Sequence, residues 1–224
     1  AGDEFLSAAR GKTIHPAIFF DTRGRSYSLP AHTLASARGH GEPLTGKLTP
    51  SNGARFLSVV MGLADQKLLL ASDAGYGFVT NIANMVTKNT KGKAMLTVPG
   101  GSEPLPPLYV HNYETDCLAA ITTEGYMLVI PVRVLPELPK GKGNKIIQIP
   151  PARLKKREEY LKLLAIIPEG ATMKIHAGKQ SVRFTPGNIS DFLGERGRRG
   201  RKLPRGYRKV DRVEIINPES NDNS

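Results

Sequence analysis

Four short stretches of this chain combine basic side chains with glycine. They are Arg38-Gly39-His40-Gly41, Lys91-Gly92-Lys93, Lys140-Gly141-Lys142-Gly143-Asn144-Lys145 and Arg196-Gly197-Arg198-Arg199-Gly200-Arg201-Lys202. The chemistry this combination suits is phosphate binding. Glycine lets a backbone approach an oxyanion closely and take up positive φ, an ammonium group supplies a point charge, and a guanidinium can hold two phosphate oxygens at once. One such loop is ordinary turn chemistry, whereas four in the same register of a repeat mark a shared task. His40 lies within the first loop.

The charge is unevenly spread. The chain of 224 residues carries 32 Lys and Arg against 20 Asp and Glu, a formal +12. Residues 171–216 hold 12 basic and 4 acidic side chains, a net +8, while residues 64–113 hold 4 and 3. Between Arg196 and Arg212 there are nine basic residues and one acid, Asp211, so Arg205 and Arg208 extend the fourth loop. A surface built only for solubility intersperses both signs. Concentrated positive charge is the footprint of a polyanionic partner, nucleic acid first. The last repeat is the expected anchor.

The elements that position these loops recur with them. Gly24, Gly75, Gly125 and Gly178 are spaced 51, 50 and 53 residues apart, and a basic-glycine pair follows each by 14 to 18 residues. An apolar run precedes each pivot: Ala17-Ile18-Phe19-Phe20, Leu68-Leu69-Leu70-Ala71, Leu118-Ala119-Ala120-Ile121 and the weaker Met173-Lys174-Ile175. A second strand-like run follows, as in Tyr126-Met127-Leu128-Val129-Ile130. Two such runs about a polar glycine turn predict a β-hairpin. Third strands are predicted at Ala94–Val98 and Ile146–Ile149, each stopped by proline.

Self-similarity near fifty residues predicts an all-β array of propeller-like modules rather than separate folds. Approximate blades span 12–63, 64–113, 114–170 and 171–216, with 1–11 the remnant of a preceding blade. That remnant is read from Gly2, Phe5, Leu6 and Ser7, which reappear as Gly53, Phe56, Leu57 and Ser58, so the chain is expected to be a fragment. The apolar first strands are expected to face inward and the basic loops outward. One inserted helix is predicted over Ala152 to Ile166, with Leu154, Leu161, Leu164 and Ala165 on one face and a Glu158–Lys162 pair. Short helical turns are predicted at Asn81 to Val86 and Asn188 to Leu193, and residues 217–224 are expected to be a disordered tail.

Other chemistries find little support. Gly11-Lys12-Thr13 mimics the end of a phosphate-binding P-loop, but Leu6 stands where that motif requires glycine. His15, His32, His40, His111 and His176 lack ligand spacing with Cys or paired carboxylates, and His176 reads as a packing or hydrogen-bonding residue. Cys117, the one cysteine, sits in an apolar run and is expected to be a small buried thiol, which fits a reducing compartment. No apolar stretch approaches the length of a membrane helix. The reading is thus a binding module, with a protein-interaction propeller for an acidic partner as the alternative and a free-standing hydrolase unsupported.

The segments Asp21-Thr22-Arg23-Gly24-Arg25-Ser26-Tyr27, Gly41-Glu42-Pro43-Leu44-Thr45-Gly46-Lys47, Gln66 to Phe78, Lys140 to Ile147 and Gly194-Glu195-Arg196-Gly197-Arg198-Arg199-Gly200 closely resemble a known family, the C-terminal domains of the A subunits of bacterial DNA topoisomerase IV, over about residues 1–216. The related domain of DNA gyrase carries a Gln-Arg-Arg-Gly-Gly-Arg-Gly type box, and no intact copy occurs here; Arg196 to Arg201 is the nearest approach. The resemblance implies a β-pinwheel of about four blades with exchanged strands plus the remnant of another, which binds and bends duplex DNA largely without regard to sequence. The DNA-binding residues it implies are Arg38, Lys91, Lys93, Lys140, Lys142, Lys145, Arg196, Arg198, Arg199, Arg201, Lys202, Arg205 and Arg208. It further implies a parent ATP-dependent type II topoisomerase using ATP and Mg2+, a heterotetramer in which two A subunits assemble with the B subunits of topoisomerase IV. The cleaving tyrosine and metal site of such a parent lie outside this domain, so the tyrosines here are expected to be structural and no cofactor is expected. A bacterial cytoplasmic, nucleoid-associated location, a monomeric fragment and a chromosome-organising protein as a further partner complete the expectation.

Overall fold

In the computed structural model, which describes residues 4–36 and 38–218, the four glycine pivots lie at the tips of four hairpins. In chain order the elements are β1 (Pro16–Asp21), β2 (Arg25–Pro30), β3 (Phe56–Val60), β4 (Lys67–Ser72), β5 (Tyr76–Asn81), α1 (Ile82–Met85), β6 (Lys93–Ala94), β7 (Leu108–Val110), β8 (Cys117–Thr122) and β9 (Tyr126–Pro131). They continue with β10 (Asn144–Lys145), α2 (Pro151–Lys155), β11 (Leu161–Ile167), β12 (Thr172–Ala177), β13 (Gln180–Phe184), α3 (Pro186–Ser190), β14 (Arg201–Lys202) and β15 (Arg212–Ile216). All four pivots adopt positive φ, between 58° and 87°, as tight turns into a second strand require. The predicted helical turns are present as α1 and α3, and α3 starts from a Thr185–Asn188 capping box.

The sheets follow one rule. Their strand orders are β3-β1-β2-β6, β10-β5-β4-β7, β11-β8-β9-β14 and β13-β12-β15. The first strand of each hairpin pairs with the strand that follows that hairpin's own long loop, whereas the second strand of the first three pairs with two residues donated by the basic-glycine loop of the next repeat. Lys93 thus faces Ser26, Lys145 faces Tyr76 and Lys202 faces Tyr126. The second, third and fourth basic loops thus each supply the edge strand of the hairpin before them. The fourth sheet has three strands among the described residues, and residues 38–41 form no strand.

The third strands are displaced from the predicted positions and cut to two residues: β6 keeps only Ala94 of the predicted Ala94–Val98, and β10 lies just ahead of Ile146–Ile149, which forms no strand. Beyond them the chain turns to feed the neighbouring pivot: the amides of Met95 and Leu96 both donate to the carbonyl of Gly24, Ile146 donates to Gly75, and Leu203 to Gly125. Met95, Leu96, Ile146 and Ile147 are buried, so these apolar runs serve packing more than ladder pairing.

The inserted helix is also shorter than expected. Only Pro151–Lys155 is helical, and Leu161–Ile167 forms β11, in antiparallel register with Thr122 to Cys117 of β8. Leu161, Ala165 and Ile167 bury on the sheet, so cross-strand burial overrides a helical periodicity too short to sustain itself. Arg157, at φ 57°, breaks the helix, and its guanidinium stacks on Tyr160 at 4.1 Å and donates to Asp73 Oδ2 at 2.6 Å. Glu158 pairs with Arg153 rather than with Lys162, which faces Asp211.

The chain divides into two compact units. One comprises Ala1–Ser72, Phe78–Tyr109 and Glu137–Gly143, the other Asp73–Gly77, Val110–Pro136 and Asn144–Ser224. In the first unit, Ile18, Phe20, Val60, Leu68, Leu70, Phe78, Ile82, Met85 and Met95 form one core, and Ala17, Phe19, Tyr27 and Leu48 form another. The second unit is built on Ala119, Ile121, Met127, Val129, Met173, Ile175, Phe184 and Leu203. Cys117 packs at the margin of that cluster and is half-buried rather than enclosed. The tail expected at 217–224 lies outside the described residues from 219 onward, as does Gly2.

Candidate nucleic-acid interface

In the first unit, Arg38, His40, Lys91 and Lys140 are exposed. Gly39 closes its own turn on the Ser36 carbonyl at 3.1 Å. Lys93 is half-buried, and its ammonium donates to the Asn84 carbonyl in α1, so this cation is spent on the fold. Arg25, which charge counting in the loops overlooks, sits just after the pivot. It donates from Nε to Lys91 O at 3.2 Å and from Nη2 to Gly92 O at 2.7 Å, holding the second loop against the first hairpin. Its signal lay in the alignment of repeats, since Arg25 occupies the position that Tyr76 and Tyr126 occupy after the next two pivots.

The second unit repeats that post with an aromatic ring and a cation from the exchanged loop. Lys145 Nζ lies 5.9 Å from the centre of Tyr76, while Lys202 Nζ lies 5.2 Å and the Arg199 guanidinium 3.7 Å from the centre of Tyr126. Tyr76 and Tyr126 therefore act as platforms for the loops. The third and fourth loops also run side by side. Arg196 Nη1 donates to Lys145 O and the Gly197 amide to Ile146 O, both at 2.8 Å; the Gln148 amide returns to Arg198 O at 2.9 Å.

Within the fourth loop the arginines divide by role. Arg199 forks onto Glu159 at 2.7 and 2.9 Å and reaches Gln148 O at 3.1 Å, with its side chain 27% exposed and that of Glu159 fully enclosed. Burial alone would depress the guanidinium, but Glu159 and Tyr126 more than compensate and hold its pKa above the ordinary arginine value. Arg198 is 73% exposed and pairs with Glu195 at 3.0 Å, an exposed (i, i+3) bridge of small worth. Arg196, Arg201, Lys202, Arg205 and Arg208 are exposed, with Arg208 Nε donating to Leu203 O, and Lys142 and Lys145 are exposed on the third loop. Of the thirteen expected residues, eleven are exposed; the other two, Lys93 and Arg199, are half-buried and engaged inside the fold, Arg199 in a buried ion pair.

Among the described residues no three His, Cys, Asp or Glu side chains gather so as to hold a metal ion. No helix among them is long and apolar enough to cross a membrane. His176 lies on the solvent side of β12, with Nε2 at 3.2 Å from Glu214 and within reach of Arg212, a hydrogen-bonding residue as expected.

A family model described as DNA gyrase C-terminal domain, beta-propeller, matches residues 66–103 and 118–166. The A subunit of DNA topoisomerase 4 from Pseudomonas aeruginosa is 51% identical over 218 residues, which is 97% of this chain and 29% of that protein. The chain therefore spans under a third of the length of the curated relatives it matches. Among solved structures, the E. coli ParC C-terminal domain superposes with a TM-score of 0.86 at 48% identity, over 93% of this chain and 84% of that one. The DNA gyrase A C-terminal domain, at 12% identity, shares the fold with a TM-score of 0.69 over 97% of this chain and 71% of that one. The repeated hairpins, the exchanged basic strands and near-half identity over most of a solved domain agree, and the chain belongs to the family of ParC C-terminal domains, those of the topoisomerase IV A subunits.

Proposed function

We propose that residues 1–216 act as a duplex-DNA-binding and DNA-bending domain that presents one DNA segment to a type II topoisomerase core for decatenation and supercoil relaxation. The observation that carries this reading is the register of the loops: exposed Lys140, Lys142, Lys145, Arg196, Arg198, Arg201, Lys202 and Arg205 stand on or beside edge strands delivered at equivalent posts. Phosphate contacts of that kind supply affinity without a base code. Bending a site of 20 to 30 base pairs costs roughly 1 to 6 kcal/mol, so several loops must engage together to offset it.

The parent on this reading is an ATP- and Mg2+-dependent enzyme that joins two ParC-type chains to the B subunits, and this segment contributes no cleavage or nucleotide chemistry. Relatives named as the A subunits of DNA topoisomerase 4 support that assignment. Binding of the chain to linear duplexes of unrelated sequence, measured across a salt series, tests it. Steep weakening with salt and similar affinity for each sequence are expected. A flat salt response, or a strong preference for one sequence, would refute the reading.

A further inference from the structure

The fourth basic loop is held by an acid. Glu159 follows α2, outside every basic loop, and its side chain is fully enclosed. Both carboxylate oxygens accept from Arg199, at 2.7 and 2.9 Å, and Arg153 Nη1 stands 3.6 Å from Oε2. The same Arg199 guanidinium lies 3.7 Å above the Tyr126 ring and donates to Gln148 O. One residue thus joins the insert, the third hairpin and the segment that follows the third loop. Its chain neighbours lead straight into the donated strand: Gly200 packs against the Met127 backbone so closely that a β-carbon there would clash, and Arg201 and Lys202 pair with β9.

An enclosed carboxylate bears a large desolvation cost unless its charge is met, and truncating one partner of such a pair leaves the other uncompensated. The paired arrangement is therefore costly to break from either side. The exposed cations Arg196, Arg198, Arg201 and Lys202 lie within three residues of Arg199.

We infer that Glu159 is a positioning residue for polyanion binding: by fixing Arg199 it sets the fourth loop in the geometry in which its exposed cations engage phosphate together. This rests on the DNA-binding reading above. It makes a prediction opposite in sign to charge counting, because removing an acid from a DNA-binding protein ordinarily tightens binding, and here removal of Glu159 weakens it.

The test compares Glu159→Gln with Glu195→Gln, an exposed acid on the same loop, in the full chain on one random-sequence linear duplex across a salt series, with folding followed by circular dichroism. Glu195→Gln releases Arg198 and leaves affinity equal or tighter. Glu159→Gln weakens it about tenfold, with the salt slope shallower by about 2, since each engaged phosphate contributes about 0.9 to that slope. Should Glu159→Gln fail to fold, the double variant Glu159→Leu with Arg199→Met, neutral in net charge and apolar in place of the pair, takes its role. Its slope falls by more than the ~0.9 that loss of a single arginine contact explains. Wild-type affinity in either folded variant, or a loss without a change of slope, overturns the inference. Absence of duplex binding by the wild-type chain overturns instead the function on which it rests.

Discussion

A β-carbon on Gly24 would collide with the carbonyl of Leu96, seventy-two residues away in sequence, while the carbonyl of Gly24 receives the amides of both Met95 and Leu96. The relationship recurs down the chain. Gly75 would meet Ile147 O at 2.8 Å and Gly125 the backbone of Arg208 at 2.6 Å. The first three pivot glycines are therefore docking points for the chain that follows each exchanged strand as well as turn residues.

Gly178 supplies the control. It too has positive φ, at 58°, but an added β-carbon would meet nothing within 4 Å. Gly178→Ala is expected to cost only the left-handed conformational penalty, about 1–2 kcal/mol. Gly24→Ala adds displacement of the Met95–Leu96 backbone that follows the exchanged strand, for a total of about 3 kcal/mol or more. Urea unfolding of the two variants measures the difference, and equal losses would show that the turn alone requires glycine.

Alkaline pH should act on the first hairpin. Tyr27 is fully buried and donates to Asp21 Oδ2 at 2.8 Å; burial, reinforced by that carboxylate, pushes its pKa from 10.0 to about 12. Because the folded value lies above the unfolded one, this contribution is fully present below pH 10 and is lost as pH rises through 12. The loss amounts to roughly 3 kcal/mol, at about 1.4 kcal/mol per pKa unit. Tyr27→Phe should flatten the alkaline limb of the stability curve while lowering the neutral plateau, since Asp21 Oδ2 loses a buried donor. Chemical unfolding at a series of pH values checks both effects.

Cys117 should react slowly. Burial raises its thiol pKa, Asp116 raises it further, and Arg133 opposes them only in part. The thiolate is the nucleophile, so maleimide labelling at neutral pH is expected to be slow in the folded protein and at least ~10-fold faster in denaturant. Fast labelling of the folded chain would show that the margin of the cluster opens on the labelling timescale.

Hairpins and the positions of the basic loops were legible in the sequence because each is local: glycine turns, apolar runs and basic residues declare themselves within about ten positions. Register was legible because the repeat supplied four copies to compare. The destination of each loop was not, since pairing Lys145 with Tyr76 or Lys202 with Tyr126 is decided by packing across sixty-nine or seventy-six residues. The error at Leu161–Ile167 has the same cause, a strand whose partner β8 stands far upstream. Among candidate site residues, charge identified cations but could not separate Lys93 and Arg199, satisfied inside the fold, from Arg198 and Arg201, which face solvent. For Arg199 the division was set by Glu159, an acid outside the loops.

That division sharpens the test of where DNA affinity resides. Replacing Arg199 along with its neighbours would set a glutamate against enclosed Glu159 and confuse unfolding with lost binding, and replacing Lys93 would disturb α1. The informative comparison is Arg198→Glu with Arg201→Glu against Lys91→Glu with Lys140→Glu, four exposed cations taken in pairs of equal charge change. If the terminal loop is the principal anchor, the arginine pair should lose more affinity and flatten the salt slope by about 2, one contact contributing about 0.9. The lysine pair should keep much of the affinity and lose bending, because a curved duplex must be gripped along its length to hold its curvature. Gel shift across a salt series and circular-permutation bending read the two effects separately. Equal affinity losses in the two pairs would instead describe a track without an anchor.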